Sequence, residues 1–407
     1  MTVGIDAIRV WPSTLALPLE ALCTARGRDP SEAIAHLGVV ERTVLPPWED
    51  SVTMAVNAAS DLLHGRDRSR IGLLVVGTET PVDLEKPISS WAHRLLGLPS
   101  TCRNFEVKHA CYSGTAALHM ALAWLGSPAG RGKQALVVTS DASFLGLHEP
   151  HEYVLGAGAV ALLLSHDPGF LVVDPDRTGV HASEVTDVIR PTLTVETGSS
   201  EASLFAYLEA VDGAWDAFLD AGPPVDFARD FAHFVFHAPF PGITSRAHRT
   251  LLGRDPDLSV EALRADFARR SEPGLVHHRR MGGVYGGSVF VSLLGAVDAR
   301  ETLVPGDRIG VFSFGSGSCS EVWTARLGPR AREEARAARL GALLDARTSI
   351  TPVQYEALEA RRSRDRESAE VEGVREGWGE HHAELWEGRG RCELRGVRGW
   401  VREYAWS

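Results

Sequence analysis

The sequence predicts an α/β protein in which helices cover both faces of a parallel or mixed sheet. Two observations carry this prediction: short runs that are apolar at nearly every position, and helical stretches that lie between them. Side chains of a strand alternate between its two faces, so an unbroken apolar run indicates a strand buried on both faces. The five runs are residues 71–76, 135–139, 159–164, 234–236 and 309–314.

Three stretches between or after these runs are predicted to be helices. Residues 115–125 are apolar nearly all round, which indicates an interior helix, whereas residues 258–268 and 331–344 are amphipathic and are expected at the surface. Residues 392–404 alternate polar with apolar positions and predict a closing hairpin. The alternation of strands and helices predicts layers of each.

Length and turn residues predict two lobes. A chain of 407 residues is longer than one compact core usually absorbs. The polar, turn-forming residues 165–169 follow a predicted strand, so we place the boundary there, with a first lobe at 1–167 and a second at 168–407. From about residue 330 the second lobe continues as a charged extension, whose mixed charges are more typical of a solvated helical face than of a binding surface.

Composition argues against several classes of protein. With 44% hydrophobic and 23% charged residues the chain resembles an ordinary globular protein, and its net charge of -11 argues against binding to nucleic acid. The cysteines are scattered and form no CxxC pair, so we expect neither disulfides nor structural zinc, and a cytoplasmic location. We expect neither secretion nor membrane insertion, because no run approaches the roughly 20 apolar residues of a membrane helix. The five cysteines are Cys23, Cys102, Cys111, Cys319 and Cys392.

Cys111 is the first candidate for chemistry. It lies in Lys108-His-Ala-Cys-Tyr-Ser-Gly-Thr, immediately before the predicted interior helix. A thiol at a helix N-terminus meets free backbone N–H groups and the positive end of the helix dipole, and both favour the thiolate nucleophile. The small residues Ser113 and Gly114 let a substrate approach closely. A buried structural thiol remains an equal alternative, because free cysteine is commonly just a small hydrophobic residue.

Three other predicted strands end in residues that suit catalysis. Glu79 follows the run at 71–76, where open α/β sheets gather their ligands, although a lone acid there is more often a cap or a solvated loop residue. His237 ends the run at 234–236, where a satisfied core histidine is the commoner case. The run at 309–314 ends in Gly315-Ser-Gly-Ser, a turn that can aim backbone N–H groups at an oxyanion. The convergence of thiol, carboxylate and imidazole favours a catalytic site over these separate alternatives.

The segments that carry these residues are similar to those of the 3-hydroxy-3-methylglutaryl-CoA (HMG-CoA) synthase family of the thiolase superfold. The resemblance covers nearly the whole chain. It rests on Gly77-Thr-Glu-Thr-Pro-Val-Asp-Leu-Glu-Lys-Pro, Ala110-Cys-Tyr-Ser-Gly-Thr-Ala-Ala-Leu, Glu196-Thr-Gly, Ser203-Leu-Phe-Ala-Tyr, Phe236-His-Ala-Pro-Phe and Gly315-Ser-Gly-Ser.

The resemblance implies a thiolase-like fold of two similar α/β lobes in layers αβαβα, and an aldol condensation. An acetyl or propionyl group moves from a thioester to Cys111, Glu79 removes a proton from its α-carbon, and the carbanion adds to the β-ketone of a second thioester beside His237. Hydrolysis then frees Cys111. No metal or organic cofactor is implied, and a homodimer is expected. Oxyanion or substrate contacts are expected from Ser316, Gly315, Ser113, Gly283 and Tyr285.

Two departures from the family pattern bear on the substrate. Many CoA-using members carry a lysine after the His-x-Pro-Phe segment, whereas Pro241-Gly242 follows here. The sequence therefore looks more like the branch that serves polyketide assembly lines, where donor and acceptor acyl carrier proteins bring both substrates and the product is a β-branch. Carrier proteins are acidic, so a basic patch is expected. The second departure is Gly283, where the family usually has asparagine; Ser288 is one candidate to replace it. Candidates for the basic patch are Arg246, His248 and Arg249, with Arg279 and Arg280 as additions.

Three rival functions remain for comparison. A decarboxylating ketosynthase of the same superfold needs a Cys/His/Asn set, but the two asparagines, Asn57 and Asn104, both precede Cys111. A non-catalytic protein that only docks carrier proteins would have no use for all three candidate groups. An HMG-CoA synthase of the mevalonate pathway, using acetyl-CoA and acetoacetyl-CoA, is the remaining alternative, and the missing lysine makes it the weaker one.

Overall fold

A computed structural model describes residues 2–144, 147–192 and 195–407. The strands are β1 (Gly4–Trp11), β2 (Leu15–Pro18), β3 (Glu41–Val44), β4 (Ile71–Gly77), β5 (Arg103–Val107), β6 (Gln134–Ala142), β7 (Ala157–Ser165), β8 (Leu171–Ala182), β9 (Val188–Ile189), β10 (Thr197–Gly198), β11 (His233–Phe236), β12 (Arg308–Gly315), β13 (Cys319–Leu327), β14 (Thr348–Ser349), β15 (Cys392–Arg398) and β16 (Val401–Trp406). The α-helices are α1 (Leu19–Ala25), α2 (Pro30–Leu37), α3 (Ser51–Leu62), α4 (Ile88–Leu95), α5 (Ser113–Gly126), α6 (Ser200–Asp220), α7 (Pro241–Leu252), α8 (Val260–Arg270), α9 (His278–Met281), α10 (Ser288–Ala299), α11 (Ala331–Ala338), α12 (Leu340–Asp345), α13 (Pro352–Arg366) and α14 (Gly379–Leu385). Two short 3₁₀ turns, Ala110–Tyr112 and Tyr285–Gly287, directly precede α5 and α10.

Nine strands are joined in one hydrogen-bonded series, in the order β11-β12-β13-β8-β1-β7-β6-β4-β5. Strand β4 pairs in parallel with β5 and β6, and β11 pairs in parallel with β12. The strands of the first half, β1 and β4 to β7, meet those of the second half at a short antiparallel contact, in which Gly4 lies opposite Val172 and Ile5 opposite Leu171. The proposed lobe boundary at 167–168 falls in the loop between β7 and β8, just before that contact.

Alternating side chains along the strands build five layers. In β4, Val75 packs into a core shared with α5 and α10, whereas Val76 packs into a second core with α3 and α4. In β11, Val235 joins the shared core, whereas Phe236 faces α6 and α7 in a third core. Helices α5 and α10 are therefore covered by sheet on both sides, and the sheets are covered by helices outside. This is the αβαβα layering of a thiolase-like fold.

The five predicted strands are all present, as β4, β6, β7, β11 and β12. The interior helix is α5, and the surface helix at 258–268 is α8. Residues 392–404 form the hairpin of β15 and β16. The apolar runs were reliable because side chains on both faces of these strands are buried, as the paired cores show.

Two predictions about helices need correction. Helix α5 is not buried all round, since Met120 on one side of it is 54% exposed. The helix predicted at 331–344 is broken at Arg339, whose φ of 49° lies in the left-handed region and separates α11 from α12.

Within the three described ranges, none of the helices has both the length and the apolar character needed to cross a bilayer.

Candidate active site

Cys111 lies in the 3₁₀ turn Ala110–Tyr112, directly before α5. The side chain is partly exposed. Ala110 adopts a left-handed φ of 42°, and this turns the chain sharply into the helix. A Cβ atom on Gly114 would lie 2.3 Å from the carbonyl oxygen of Gly286, so the turn Tyr285–Gly287 can approach the start of α5 only because glycine is present.

The electrostatic setting of Cys111 differs from the sequence-based expectation. Burial raises the pKa of the Cys111 thiol well above its ordinary value, and the carboxylates of Asp141, Glu79 and Asp187 raise it further, against a smaller opposing effect of Arg190. The expectation that the helix N-terminus favours a thiolate was therefore wrong. Desolvation and three nearby carboxylates all disfavour the thiolate, so the resting group is a neutral thiol.

The Glu79 carboxylate is fixed beside the Cys111 turn. Its Oε2 accepts a hydrogen bond of 2.9 Å from the backbone N–H of Ala110, the residue before Cys111. The backbone of Glu79 is held from two sides: its N–H donates to Asp141 Oδ1 at 2.8 Å, and its carbonyl accepts from Arg190 at 2.6 Å. The end of β4 and the turn before α5 thus bring carboxylate and thiol together, as the sequence predicted.

Asp141 organises the loop that carries Glu79, and the sequence analysis missed it. Its Oδ1 accepts from the Glu79 and Thr80 N–H groups and from the Thr78 and Thr80 hydroxyls, at 2.8–3.1 Å. Its Oδ2 has no hydrogen-bond partner among the described residues. Burial is the main cause that raises the pKa of Asp141 to about 6. The signal was available, because Asp141 ends the run at 135–139 just as Glu79 ends the run at 71–76.

His237 directly follows β11 and lies in an apolar environment. Its N–H donates to the Phe312 carbonyl at 2.7 Å, and its carbonyl accepts from the Tyr207 hydroxyl at 2.8 Å, so the backbone is fixed on both sides. The residue is 1% exposed, and neither ring nitrogen has a hydrogen-bond partner among the described residues. Burial, with a smaller effect of His278, lowers the pKa of His237 to about 3. The imidazole is therefore neutral at physiological pH and has both nitrogens available.

A chain of close contacts connects the His237 loop to the Cys111 turn. A Cβ atom on Gly283 would lie 2.3 Å from the Pro239 carbonyl oxygen, so an asparagine at this position would need the His237 loop to move. Two residues further, Tyr285 is buried, and burial raises the pKa of its phenol, with a further rise from the Glu196 and Asp141 carboxylates against an opposing effect of Arg190. The predicted positions Gly283 and Tyr285 therefore lie between the two parts of the site.

The glycine-rich turn after β12 packs directly on the Cys111 turn. A Cβ atom on Gly315 would lie 2.6 Å from both the His109 carbonyl oxygen and the Tyr112 nitrogen, so glycine is required there. Ser316 follows and is partly exposed. Ser113 is buried, and its hydroxyl has no partner among the described residues. Ser288, the candidate to replace the family asparagine, instead accepts a hydrogen bond from the Val284 N–H at 3.2 Å.

Some candidates for a basic patch are available to a partner, and the others are occupied by contacts within the protein. Arg246 and Arg249 lie on α7, are partly or fully exposed, and form no ion pair with any residue that the structure describes. The prediction was wrong for His248, which is 1% exposed and bonded to Asp266 at 2.8 Å beneath α8. The other two arginines are occupied by ion pairs within the protein: Arg279 binds Glu272 at 2.7 Å, and Arg280 binds Glu41 and Asp345 at 2.6 Å.

Arg190 and Asp187 are further site residues that sequence reasoning did not identify. Arg190 contacts the Glu79 carbonyl and forms an ion pair with Glu196 at 2.5 Å. Asp187 is fully buried, and neither of its carboxylate oxygens has a partner among the described residues. These residues flank the two-residue strand β9, which is too short for any periodic pattern. By contrast, Glu196 belongs to a segment that carried the family resemblance.

Comparison with known proteins identifies the family. The model described as "Hydroxymethylglutaryl-coenzyme A synthase N terminal" matches residues 1–168, and the corresponding C-terminal model matches residues 250–375. The chain belongs to the HMG-CoA synthase family. It is therefore a condensing acyltransferase that forms a carbon–carbon bond.

Both curated relatives and solved structures cover most of the chain. The polyketide biosynthesis 3-hydroxy-3-methylglutaryl-ACP synthase PksG of Bacillus subtilis is 35% identical over 371 residues, 88% of each chain. A hydroxymethylglutaryl-CoA synthase of Enterococcus faecalis is 32% identical over 88% of this chain and 91% of its own. The HMG synthase of the curacin biosynthetic pathway, in complex with acetyl donor-ACP, has a TM-score of 0.95 at 32% identity over 100% of both chains. MvaS in complex with 3-hydroxy-3-methylglutaryl coenzyme A has a TM-score of 0.89 at 33% identity, over 100% of this chain and 99% of its own.

Proposed function

We propose that this enzyme condenses a Cys111-bound acetyl or propionyl group with the β-ketone of an acyl chain on an acyl carrier protein, and so installs a β-branch. The observation that carries this proposal is the 2.9 Å hydrogen bond between the Ala110 N–H and the Glu79 carboxylate. This bond holds a base next to the turn that bears the acyl group. A base in that position can act on the α-carbon of an acyl group attached to the sulfur.

The first step is acyl transfer to Cys111. The sulfur attacks the thioester carbonyl of the donor, the bond to the carrier thiol breaks, and the proton of the Cys111 thiol ends on the departing carrier thiol. Because the pKa of Cys111 is raised by burial and carboxylates, this proton must leave as the bond forms. Backbone N–H groups around Cys111 and Ser316 are our candidates to stabilise the oxyanion.

The second step forms the carbon–carbon bond. Glu79 removes a proton from the α-carbon of the acyl group, and the resulting enolate attacks the β-carbonyl carbon of the acceptor. His237 orients or polarises that carbonyl, which suits a neutral imidazole with two free nitrogens. The new alkoxide takes the proton that Glu79 removed from the α-carbon, which returns Glu79 to its carboxylate form. Water then attacks the Cys111 thioester, which frees the thiol and leaves a carboxylate on the product.

Carrier proteins rather than free CoA are favoured as substrate carriers by one local contact and by the relatives. A Cβ atom on Gly242 would lie 2.1 Å from the His36 carbonyl oxygen, so a lysine at that position would need the backbone of α2 or α7 to move. PksG is a 3-hydroxy-3-methylglutaryl-ACP synthase, and the structures of the curacin enzyme include complexes with donor-ACP. Arg246 and Arg249 are the two predicted patch residues that stay available to an acidic carrier protein.

A cytoplasmic homodimer completes the proposal. All five cysteines are free thiols, which suits a reducing compartment. Strand β5 forms one edge of the nine-strand series, and the exposed Met120 lies on the neighbouring helix α5. An open strand edge beside an exposed apolar side chain is a surface that a second copy of the chain can cover.

The choice of carrier can be tested on the full-length enzyme. We expect incubation with acetyl-carrier protein to add an acetyl mass to the peptide that contains Cys111, much faster than incubation with acetyl-CoA at equal concentration. An acetoacetyl-carrier protein added next should be converted to the branched product. Strong preference for the two CoA thioesters would instead support the mevalonate-pathway reaction. Acyl mass on a different cysteine would contradict both.

A further inference from the structure

A pocket next to the catalytic residues is not used by the proposed condensation steps. It has a volume of about 100 Å³ and lies between the loop after β4, the start of α3, the end of α13 and the C-terminal hairpin. Apolar side chains such as Leu358 and Val371 form much of its wall. We call it the arginine pocket, after Arg361, Arg362, Arg366 and Arg402, which line it together with Thr80 and Phe144.

Three of the four guanidinium groups are neutralised within the protein. Arg361 binds Asp365 at 3.2 Å, Arg402 binds Asp50 at 3.4 Å, and Arg362 contacts the carboxylate of Glu359. Of the carboxylates that line the pocket, Asp50 and Asp365 are therefore occupied. The third, Glu49, accepts hydrogen bonds from Trp11 and Ser13.

Arg366 is the exception. Its side chain is half-buried and forms neither an ion pair nor a hydrogen bond with any of the described residues; its guanidinium carbon instead lies 3.1 Å from the centroid of the Phe144 ring. Burial, and then the positive charges of Arg190, Arg362 and Arg402, lower the pKa of Arg366 to about 9. It therefore stays cationic at neutral pH without a counter-charge. Such a group gains more than a paired one from binding an anion.

The arginine pocket is close to the site of condensation. Thr80 and Ala142 line it, and each is the direct neighbour in sequence of a site residue, Glu79 and Asp141. The ring of Phe144 contacts Arg366 and also Arg190, whose guanidinium carbon lies 5.0 Å from the ring centroid. Arg190 in turn donates a hydrogen bond to the Glu79 carbonyl. One aromatic side chain therefore joins the pocket to the loop that carries Glu79.

We infer that the arginine pocket receives the far end of the acceptor acyl chain and that Arg366 binds a carboxylate at that end. The inference rests on the proposed condensation and adds to it a class of acceptor: 3-oxoacyl thioesters that end in a carboxylate. The apolar wall suits the methylene groups of such a chain, and the unpaired guanidinium suits its terminal charge.

Matched acceptors test this assignment. Carrier-bound 3-oxoacyl chains of six, eight and ten carbons, each ending in either a methyl group or a carboxylate, are given to the acetylated full-length enzyme. We expect the carboxylate form to be preferred in kcat/KM by at least about tenfold at one length, since a hydrogen bond to a charged group contributes that much. Arg366→Met should abolish the preference and leave the methyl-ended acceptors within about twofold of wild type. Arg366→Lys should restore part of it.

The matched control is Arg364→Met, because Arg364 lies on the same helix but is exposed and outside the pocket. This variant should keep the full preference. No preference in the wild-type enzyme at any length, or a preference that survives in Arg366→Met, would overturn the assignment. Glutarate tests whether the site binds a free anion instead. If glutarate raises the melting temperature of wild type but not of Arg366→Met, and no acceptor preference is seen, the site binds a separate anion. The acceptor assignment would then be wrong. If acetyl transfer to Cys111 occurs but no 3-oxoacyl acceptor of either kind reacts, the proposed function fails as well.

Discussion

The two sides of the active site are built from opposite kinds of interaction. On the side of β4 and α5, the Glu79 carboxylate and its loop are held by hydrogen bonds to Ala110, Asp141 and Arg190. On the side of β11, the backbone of His237 is fixed, but its buried ring has no hydrogen-bond partner among the described residues. The same holds for its neighbour His278.

The difference matches what each side chain must do: Glu79 needs a fixed position, and His237 needs ring nitrogens that are free to contact a substrate. A base that must remove a proton from an acyl group on Cys111 needs a fixed distance, and a network of hydrogen bonds supplies it. A group that must contact the incoming acceptor needs unoccupied nitrogens, and an apolar setting keeps them free. We therefore expect condensation to be sensitive to a small change in the side-chain length of Glu79, and to the loss of the imidazole ring of His237.

The largest effect is expected from removal of the thiol. Cys111→Ala should lower turnover by at least ~10⁴-fold and abolish acyl-enzyme, because the covalent step has no other nucleophile. Mass spectrometry of the digested enzyme measures the acyl-peptide directly. Cys319→Ala is the control, since Cys319 is another partly exposed thiol, and this variant should still be acylated. Acyl-enzyme in Cys111→Ala would show that the covalent step lies elsewhere.

A shorter carboxylate tests the importance of fixed distance. In Glu79→Asp the carboxylate is one methylene further from the Ala110 N–H, and we expect carbon–carbon bond formation to slow by ~10²–10⁴-fold while acyl-enzyme still forms. Rapid-quench measurement of acyl-enzyme beside steady-state product formation separates the two steps. Glu85→Asp, on an exposed part of the same loop, should behave as wild type. Normal turnover in Glu79→Asp would remove Glu79 from the mechanism.

Loss of the imidazole should have a smaller effect, again on condensation only. We expect His237→Ala to form acyl-enzyme and to condense ~10²-fold more slowly. Because the pKa of His237 is about 3, its titration should not appear in the rate profile of the wild-type enzyme between pH 5 and 8. His233→Ala is a matched control, since His233 is equally buried at the start of β11 but faces Gly274. An equal loss in both variants would assign the effect to packing of β11.

The smallest effect concerns stability and its dependence on pH. The pKa of Asp141 is about 6, against an ordinary value of 3.8, so the folded protein binds this proton more tightly than the unfolded chain. Protonation of Asp141 therefore stabilises the folded protein fully below about pH 4, and this stabilisation is lost as the pH rises through about 6. The free energy of unfolding changes by roughly 3 kcal/mol at most from this group. Asp141→Asn should lack this part of the pH dependence of the unfolding free energy. If the unfolding free energies of variant and wild type, measured by urea denaturation, change with pH in parallel, Asp141 does not have this effect.

Prediction of strands from sequence succeeded where burial alone decides and failed where polar groups are buried. Strand β4 has an apolar side chain at nearly every position, and its residues were identified. Strand β1 was not, because Asp6 and Arg9 interrupt its apolar pattern. Both are accommodated by ion pairs with residues distant in sequence, Asp6 with Arg330 at 2.6 Å and Arg9 with Glu334 at 3.0 Å. No local pattern reveals such a partner.

By itself the sequence determined which groups stand at the strand ends and which family they belong to, because side-chain chemistry and alternation are local properties. The tertiary structure decided their protonation. Burial raises the pKa of the Cys111 thiol, and the carboxylates of Asp141 and Asp187, far along the chain, raise it further. Electrostatic interactions act through space, and spatial distance is set by packing rather than by position in the sequence.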